Sequence, residues 1–289
     1  MGTVWEIDFY SRPILDENQK KLWELLAIER PTTTTRSPES LFRYAQYCPS
    51  TTVNSIWLGE AMSKAIAEAP NPPTNIRFFR RQMNNMITKA CKDLGLDVKI
   101  SRRTIALEGW LRDRMEEVYP NEPNYQASSA SSASVLYQPS VPQKLPDALE
   151  GQKWAFVNLS AKDLAEMPEW EIDFGEGFPL SLAGVDPDTP IPGAIVFSDR
   201  AFPVAAWMSG LELGFLKLLD RDRPQFLLET GADNSWILAD LVDRATQTEA
   251  RNFEKMKQDA RGVHFLAIQA DPNSESFAGF WLLQELSLG

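Results

Sequence analysis

The residues best suited to chemistry in this sequence are basic, and they gather in one stretch. Positions 75–103 carry eight Lys and Arg against only Asp93 and Asp97, a net charge of +6. Cationic groups spaced along a helix face and at strand ends can neutralise phosphates. The stretch therefore predicts a phosphate-binding surface. Its candidate contact residues are Arg77, Arg80, Arg81, Lys89, Lys92, Lys99, Arg102 and Arg103.

The spacing within this stretch favours a helix with one basic face. On a helix over 81–94, the residues Arg81, Asn85, Lys89 and Lys92 share a face, because side chains three or four apart are neighbours. Two other interpretations stay open at this point. The basic face is an ordinary solvated surface, or it docks the acidic C-terminal half of the chain.

A second group of candidate residues is acidic. Glu6, Asp8, Glu24 and Glu29 fall on two adjacent strand candidates, and carboxylates on paired strands can hold Mg²⁺ for phosphodiester cleavage. The usual nuclease arrangement also needs an acid-x-Lys element, and neither Glu24 nor Glu29 is followed by one. A metal-dependent nuclease using Glu6, Asp8 and Glu24 is kept as a minor alternative.

Histidine and cysteine are too scarce for most catalytic or metal sites. His264 is the single histidine, and Cys48 and Cys91 are the two cysteines. A Ser-His-Asp arrangement would have to use His264, whose sequence setting predicts a structural role in a buried strand. A zinc site built from Cys and His would need nearly every cysteine and histidine in the chain. Two cysteines make no disulfide framework, which favours a reducing compartment. We therefore expect no enzyme, no cofactor and no metal site.

The overall charge hides an asymmetry between the two halves. The 289 residues carry a net charge of −11, which by itself argues against a nucleic-acid partner. Residues 1–120 hold 17 Lys and Arg against 15 Asp and Glu, and residues 121–289 hold 12 against 25, giving +2 and −13. The acidity thus belongs to the second half and leaves room for one local RNA-binding surface in the first.

Composition along the chain indicates two domains joined by a linker. Residues 121–150 are rich in Ser, Ala and Pro, which bury little surface and are typical of linkers. We predict an α+β protein with a mixed α/β sheet domain at 1–120 and a β-rich, acidic α+β domain at 151–289. In the first domain, a strand hairpin over 5–29 precedes strands and helices that alternate, with helices at 55–68, 81–94 and 104–118.

The predicted elements of the second domain are mostly strands. They lie at 153–159, 194–198, 225–230, 236–241, 263–269 and 277–286, with helices at 160–166 and 246–260. The longest apolar runs, Phe265–Ile268 and Phe280–Leu283, fall far short of the roughly 20 residues that cross a bilayer. The chain also opens on a strand pattern rather than a targeting peptide, so we expect a cytoplasmic protein without membrane insertion.

Several ordered blocks of the sequence resemble the Tab-two family. They span nearly the whole chain, which makes the resemblance specific. The blocks are Trp5-Glu6-Ile7-Asp8-Phe9-Tyr10-Ser11-Arg12-Pro13-Ile14-Leu15-Asp16, Lys21-Leu22-Trp23-Glu24-Leu25, Arg77-Phe78-Phe79-Arg80-Arg81-Gln82-Met83, Ser101-Arg102-Arg103-Thr104, Lys153-Trp154-Ala155-Phe156-Val157, Ala205-Ala206-Trp207-Met208-Ser209-Gly210-Leu211-Glu212, His264-Phe265-Leu266-Ala267-Ile268-Gln269 and Gly279-Phe280-Trp281-Leu282-Leu283.

The resemblance implies a protein that binds A/U-rich single-stranded RNA and supports translation of a photosystem I subunit message, and so photosystem biogenesis. It implies an mRNA leader as partner, with translation or photosystem assembly proteins as further partners. It also implies a role in RNA binding for the tripeptide Trp281-Leu282-Leu283. Because no transit peptide precedes the matching blocks, the chain is similar to a cyanobacterial member of the family.

Two alternatives remain from the sequence. Apolar strand residues such as Trp281, Leu282 and Leu283 are usually core, so their importance could lie in folding the last strand instead of in touching RNA. The chain could also be a photosystem assembly factor that binds proteins without direct RNA contact.

Overall fold

The computed structural model describes residues 2–127, 141–149, 151 and 153–286. These residues form two compact units, 2–30 with 39–127 and 31–38 with 141–286, and the architecture is the predicted α+β. Residues 128–140 and 150 of the predicted linker lie outside the described ranges. Residues 31–38, predicted in the first domain, belong to the second unit, where Thr34 donates a hydrogen bond to the carbonyl of Ala165 (3.1 Å).

One mixed sheet organises the first unit. Its strands are β1 (Thr3–Leu15), β2 (Lys21–Glu29), β3 (Arg43–Cys48), β4 (Pro73–Phe78) and β5 (Asp97–Ile100). The spatial order is β3-β2-β1-β4-β5, with β1 to β3 antiparallel and β4 and β5 added in parallel. The predicted hairpin joins β1 and β2. Edge strand β3 was not predicted, because its polar residues Arg43 and Gln46 lie three apart and break the alternation expected of a strand.

Three helices complete the first unit. They are α1 (Ser55–Glu68), α2 (Asn84–Asp93) and α3 (Ile105–Asp113). The Asn54 side chain begins α1 by accepting the N–H groups of Ile56 and Trp57, both at 2.9 Å. The helix predicted over 81–94 opens with a 3₁₀ turn before α2 and ends at Gly95, whose φ of +71° favours glycine.

Alternation along β1 gives the sheet two unlike faces. Trp5, Ile7 and Phe9 pack in a core with side chains of α1 and α2. Glu6 and Asp8 alternate with them, project to the opposite face and are also buried. That second face is covered in part by α3.

The second unit contains two sheets. Its strands are β6 (Gln143–Lys144), β7 (Lys153–Ser160), β8 (Ile172–Glu176), β9 (Pro190–Phe197), β10 (Leu213–Leu219), β11 (Gln225–Thr230), β12 (Asn234–Asp240), β13 (Val263–Gln269) and β14 (Phe277–Gln284). The sheet orders are β10-β11-β12-β6 and β7-β9-β13-β14-β8. The predicted pairing of the last two strands is confirmed, since β13 and β14 are antiparallel neighbours.

The described residues of the second unit form three α-helices, two of which pack with both sheets around one core. They are α4 (Ala161–Ala165), α5 (Ala201–Ser209) and α6 (Arg244–Asp259). Ser160 and Asp163 form the capping box of α4, which confirms the predicted cap. Side chains of β9, β10, β11, β13, β14, α5 and α6 share the core. Of the helices in the described residues, none has the length and apolar content that a membrane span requires.

Candidate nucleic-acid interface

The structure separates the eight predicted phosphate contacts by exposure. Lys89, Lys92 and Lys99 are exposed and Arg81 is half-buried. The other four, Arg77, Arg80, Arg102 and Arg103, are buried. The prediction that these residues contact RNA stays a prediction, and the three fully exposed members, Lys89, Lys92 and Lys99, are called the lysine edge below.

Two members of the lysine edge lie on α2. Ile87, Ala90 and Cys91 form the buried side of this helix, which leaves Lys89 and Lys92 facing outward as the spacing predicted. Lys89 pairs with Asp93 at 2.9 Å, and both side chains are largely exposed. An exposed pair of this kind contributes little to stability, so Lys89 can exchange Asp93 for a phosphate at small cost.

The third member, Lys99, lies on the edge strand β5. Val98 and Ile100 pack with the core that α1 and α2 cover, so the intervening Lys99 projects from the opposite face of the sheet. Helix α2 contacts β5, so Lys89 and Lys92 lie on an element adjacent to this edge strand, while Lys99 projects from the other face of the sheet. The sequence predicted a basic helix face with basic strand ends beside it, and it did not predict from which face of the sheet Lys99 projects.

Arg80 is engaged inside the unit. It is 2% exposed, and its Nε donates to the Asp8 carboxylate at 2.8 Å. Its guanidinium also lies over the rings of Tyr10 and Phe79, at 4.1 and 4.8 Å from their centroids. A buried arginine held by a carboxylate and two rings is a structural group, and its guanidinium is not accessible to a phosphate.

The carboxylates of Asp8 and Glu24 are also engaged by arginine side chains within the unit. The Arg12 guanidinium bridges them, with Nη1 donating to Asp8 and Nε donating to Glu24, each at 3.0 Å. Glu24 further accepts hydrogen bonds from Arg114 and from the Tyr119 hydroxyl. Burial alone would lower the pKa of Arg12, but Asp8, Tyr119 and Glu24 hold that pKa above its usual value.

Glu6 serves α3. Its Oε2 accepts the N–H of Leu107 at 2.8 Å in the first turn of that helix, where the N-cap residue Thr104 makes no side-chain cap bond. Burial raises the pKa of Glu6 to about 7, opposed by the helix N–H groups and by Arg30 and Arg77. The carboxylate that looked like a metal ligand is a buried cap for a helix.

These contacts leave little support for the nuclease alternative. Glu6, Asp8 and Glu24 do share one face of the sheet, as the alternation predicts, but each is engaged by arginine or helix N–H groups. Within the described ranges, no group of three or more His, Cys, Asp and Glu side chains is placed to hold a metal ion.

The tripeptide Trp281-Leu282-Leu283 lies in the core of the second unit. The three side chains are at most 3% exposed and sit on β14, between β13 and β8. In register, Trp281 faces Leu266 and Leu283 faces His264. An inner strand with side chains this buried offers no ring to a base, so this geometry favours the interpretation in which the tripeptide shapes the fold.

His264 and the cysteines are buried as well. His264 Nε2 accepts the N–H of Leu216, and Nδ1 lies at 2.8 Å from the carbonyl oxygen of Gly262. Neutral imidazole with a proton on Nδ1 meets both bonds. Burial raises the pKa of the Cys91 thiol to about 12, which suits a packing residue and disfavours a nucleophile.

One exposed residue was missed by the sequence reasoning. Phe202, in the first turn of α5, is 57% exposed. The helix is apolar nearly all round, so no amphipathic pattern separates its outer side from its buried side. Neither the helix nor its exposed ring could be recognised from periodicity.

Comparisons with known proteins cover both units. Residues 4–114 match the family described as RNA-binding protein Tab2/Atab2 N terminal, and residues 132–284 match RNA-binding protein Tab2/Atab2, C-terminal domain. A protein TAB2 homolog, chloroplastic, from Zea mays is 38% identical over 289 residues, covering 98% of this chain and 71% of the relative. The homolog from Arabidopsis thaliana is 38% identical over 290 residues, covering 98% and 74%.

Proposed function

The chain belongs to the Tab2/Atab2 family of RNA-binding proteins, and from this premise we propose that it holds A/U-rich single-stranded RNA through the lysine edge. By holding the leader of a photosystem I subunit message, it supports translation of that message and hence photosystem biogenesis. We propose that this role involves no catalysis.

The exposure of Lys89, Lys92 and Lys99 carries the proposal. They are the exposed members of the predicted basic set, and they lie on α2 and on the edge strand β5, which contact each other. Lysine contacts with phosphate release counterions and need no base sequence. The lysine edge accounts for affinity, whereas the A/U-rich preference is an expectation carried over from the family resemblance.

Salt-dependent binding tests the lysine edge. We would change all three lysines to glutamine and measure the affinity for a fluorescent A/U-rich oligoribonucleotide between 50 and 300 mM salt. A matched control changes the exposed Lys64, Lys162 and Lys255 to glutamine, which alters the net charge by the same amount. Single-stranded RNA loses about 0.7 in the log–log salt slope for each phosphate contact removed, so three lost contacts make the slope shallower by about 2.

The control separates local contact from overall charge. We expect the control triple variant to keep the wild-type slope, with at most a small uniform loss of affinity. Equal losses in both triple variants would mean that net charge alone governs binding, and the lysine edge would be rejected. A G/C-rich oligonucleotide of equal length tests the base preference, which fails if both oligonucleotides bind equally.

Catalysis has a direct test. The purified protein is incubated with labelled RNA and with Mg²⁺ or Mn²⁺, and we expect the substrate to stay intact. Cleavage that disappears on changing Glu24 to Gln, in a variant that is still folded by circular dichroism, would restore the nuclease alternative.

A further inference from the structure

The side chain of Phe202 is 57% exposed, and among the described residues no other Phe, Tyr or Trp is comparably exposed. An exposed ring forgoes the stabilisation of about 1.5–3 kcal/mol that full burial of a Phe side chain contributes. Single exposed apolar residues are common on protein surfaces. Phe202 differs from such residues in the way that its ring is held.

The position of Phe202 is fixed by the packing of its helix and by a neighbouring ring. It lies in the first turn of α5, whose buried residues Val204, Ala205 and Met208 fix the helix on the core. On its inner side, the ring meets Phe174 of β8 in an edge-on contact, with centroids 5.2 Å apart and planes at 62°. One side of the Phe202 ring is thus supported, and much of the rest remains in solvent.

Trp281 of the buried tripeptide packs beneath α5. A Cβ on Gly279 would lie 2.4 Å from the Trp281 ring and 3.0 Å from the Ala205 side chain. The Trp281 indole therefore lies directly over Gly279, beside the residue of α5 that packs there. Gly279 also pairs in register with Phe174, the ring that supports Phe202. Trp281 thus packs beside α5 and over the strand position that pairs with Phe174, the two elements that meet the Phe202 ring.

We propose that Phe202 stacks on an unpaired base of the bound RNA, and that Trp281 is a positioning residue for this contact. Every base offers a flat π face, so an exposed ring on a rigid element binds single strands without needing a particular sequence. Arg200 is exposed two residues earlier and supplies positive charge for an adjoining phosphate. The inference rests on the proposed RNA binding and gives the second unit a contact of its own.

Affinity measurements on Phe202 variants test the stacking contact. Loss of one base–aromatic stack weakens binding about 5- to 150-fold, so we expect a loss in that range for Phe202→Ala. Phe202→Leu keeps an apolar side chain without the π face and should lose nearly as much, whereas Phe202→Trp should bind at least as tightly as wild type. Because the residue is exposed, all three variants should fold.

A direct readout comes from photocrosslinking. RNA carrying 5-iodouridine crosslinks to an aromatic side chain that stacks on the base, and we expect the adduct on the peptide that contains Phe202. Wild-type affinity in both Phe202→Ala and Phe202→Leu would overturn the inference. The change Arg200→Gln should also make the salt slope shallower by about 0.7 if its guanidinium meets a phosphate.

A double-variant test isolates the role of Trp281. Trp281→Phe should weaken RNA binding in the wild-type background and have no further effect when Phe202 is already Ala, because its effect passes through that ring. Equal losses in both backgrounds would contradict positioning through Phe202. If the lysine variants lose affinity and the Phe202 variants do not, the proposed function stands and only the stacking contact fails.

Discussion

The buried carboxylate of Glu6 gives a prediction whose size follows from its surroundings. Glu6 lies between the N-terminus of α3 and Arg30, yet burial outweighs both and raises its pKa from the ordinary 4.5 to about 7. A pKa that is higher in the folded state means that folding favours the protonated acid. Stability from this source is fully present below pH 4.5 and is lost as the pH rises through 7.

The perturbation is Glu6→Gln, which stays neutral at every pH and keeps an oxygen that can accept the N–H of Leu107. The rise in pKa from 4.5 to about 7 corresponds to roughly 3 kcal/mol. We therefore expect the unfolding free energy of the wild type, measured relative to Glu6→Gln, to fall by about 3 kcal/mol between pH 4.5 and 7. The difference should become constant above pH 8.

Urea unfolding at half-unit steps of pH, followed by circular dichroism, gives this difference. Glu17→Gln, an exposed change in the turn after β1, is the control and should show no comparable trend. A difference between wild type and Glu6→Gln that is flat, or that grows with pH, would refute the reasoning. It would mean that the helix N–H groups and arginines outweigh burial at this site.

Other predictions concern packing and charge elsewhere in the molecule. Lys257 is buried, donates a hydrogen bond to the Leu216 carbonyl at 2.8 Å and pairs with two glutamates. In urea unfolding, Lys257→Met should therefore lower the unfolding free energy by about 3–5 kcal/mol. The control Lys255→Met, at an exposed site, should lower it far less. A Cβ on Gly193 would lie 2.3 Å from the Phe265 ring, so Gly193→Ala should lower the melting temperature through a cost of about 1–3 kcal/mol. Gly59→Ala, in open space within α1, should instead stabilise by about 0.5–1 kcal/mol in the same thermal assay.

Much of the fold could be predicted where local signals agree. The bounds of β2, β11, β13 and α1 match or nearly match the apolar patterns, and α1 also has a capping asparagine before it and Pro70 after it. Strand β10 and helix α5 were missed. Both are apolar over most of their length, so neither shows the period that distinguishes a helix from a strand.

The candidate site was predicted in composition better than in geometry. Eight basic residues in 29 positions mark the stretch, but a sequence does not show which cations have buried partners. Arg80 pairs with Asp8, which lies 72 positions earlier, and only the pairing of β1 with β4 brings them together. The lysines stay outside because their flexible chains end in strongly hydrated ammonium groups that are costly to bury.

For the same reason, the sequence could not show whether the side chains of Trp281, Leu282 and Leu283 are buried or exposed. Apolar residues on a strand read equally well as core or as a binding surface, and burial on an inner strand distinguishes the two. The identity of Phe202 as the exposed ring follows from the packing of α5 over β14, a contact between elements about 70 residues apart. No local pattern around Phe202 carries that information.

Mapping the RNA-bound peptides tests the central claim most directly. The full chain is crosslinked by ultraviolet light to an A/U-rich oligoribonucleotide containing 4-thiouridine, digested, and analysed by mass spectrometry. We expect adducts on peptides from residues 84–99, which contain Lys89, Lys92 and Lys99, and these adducts should disappear in the triple glutamine variant. Efficient crosslinking that maps wholly outside 84–99 would contradict an RNA-binding lysine edge.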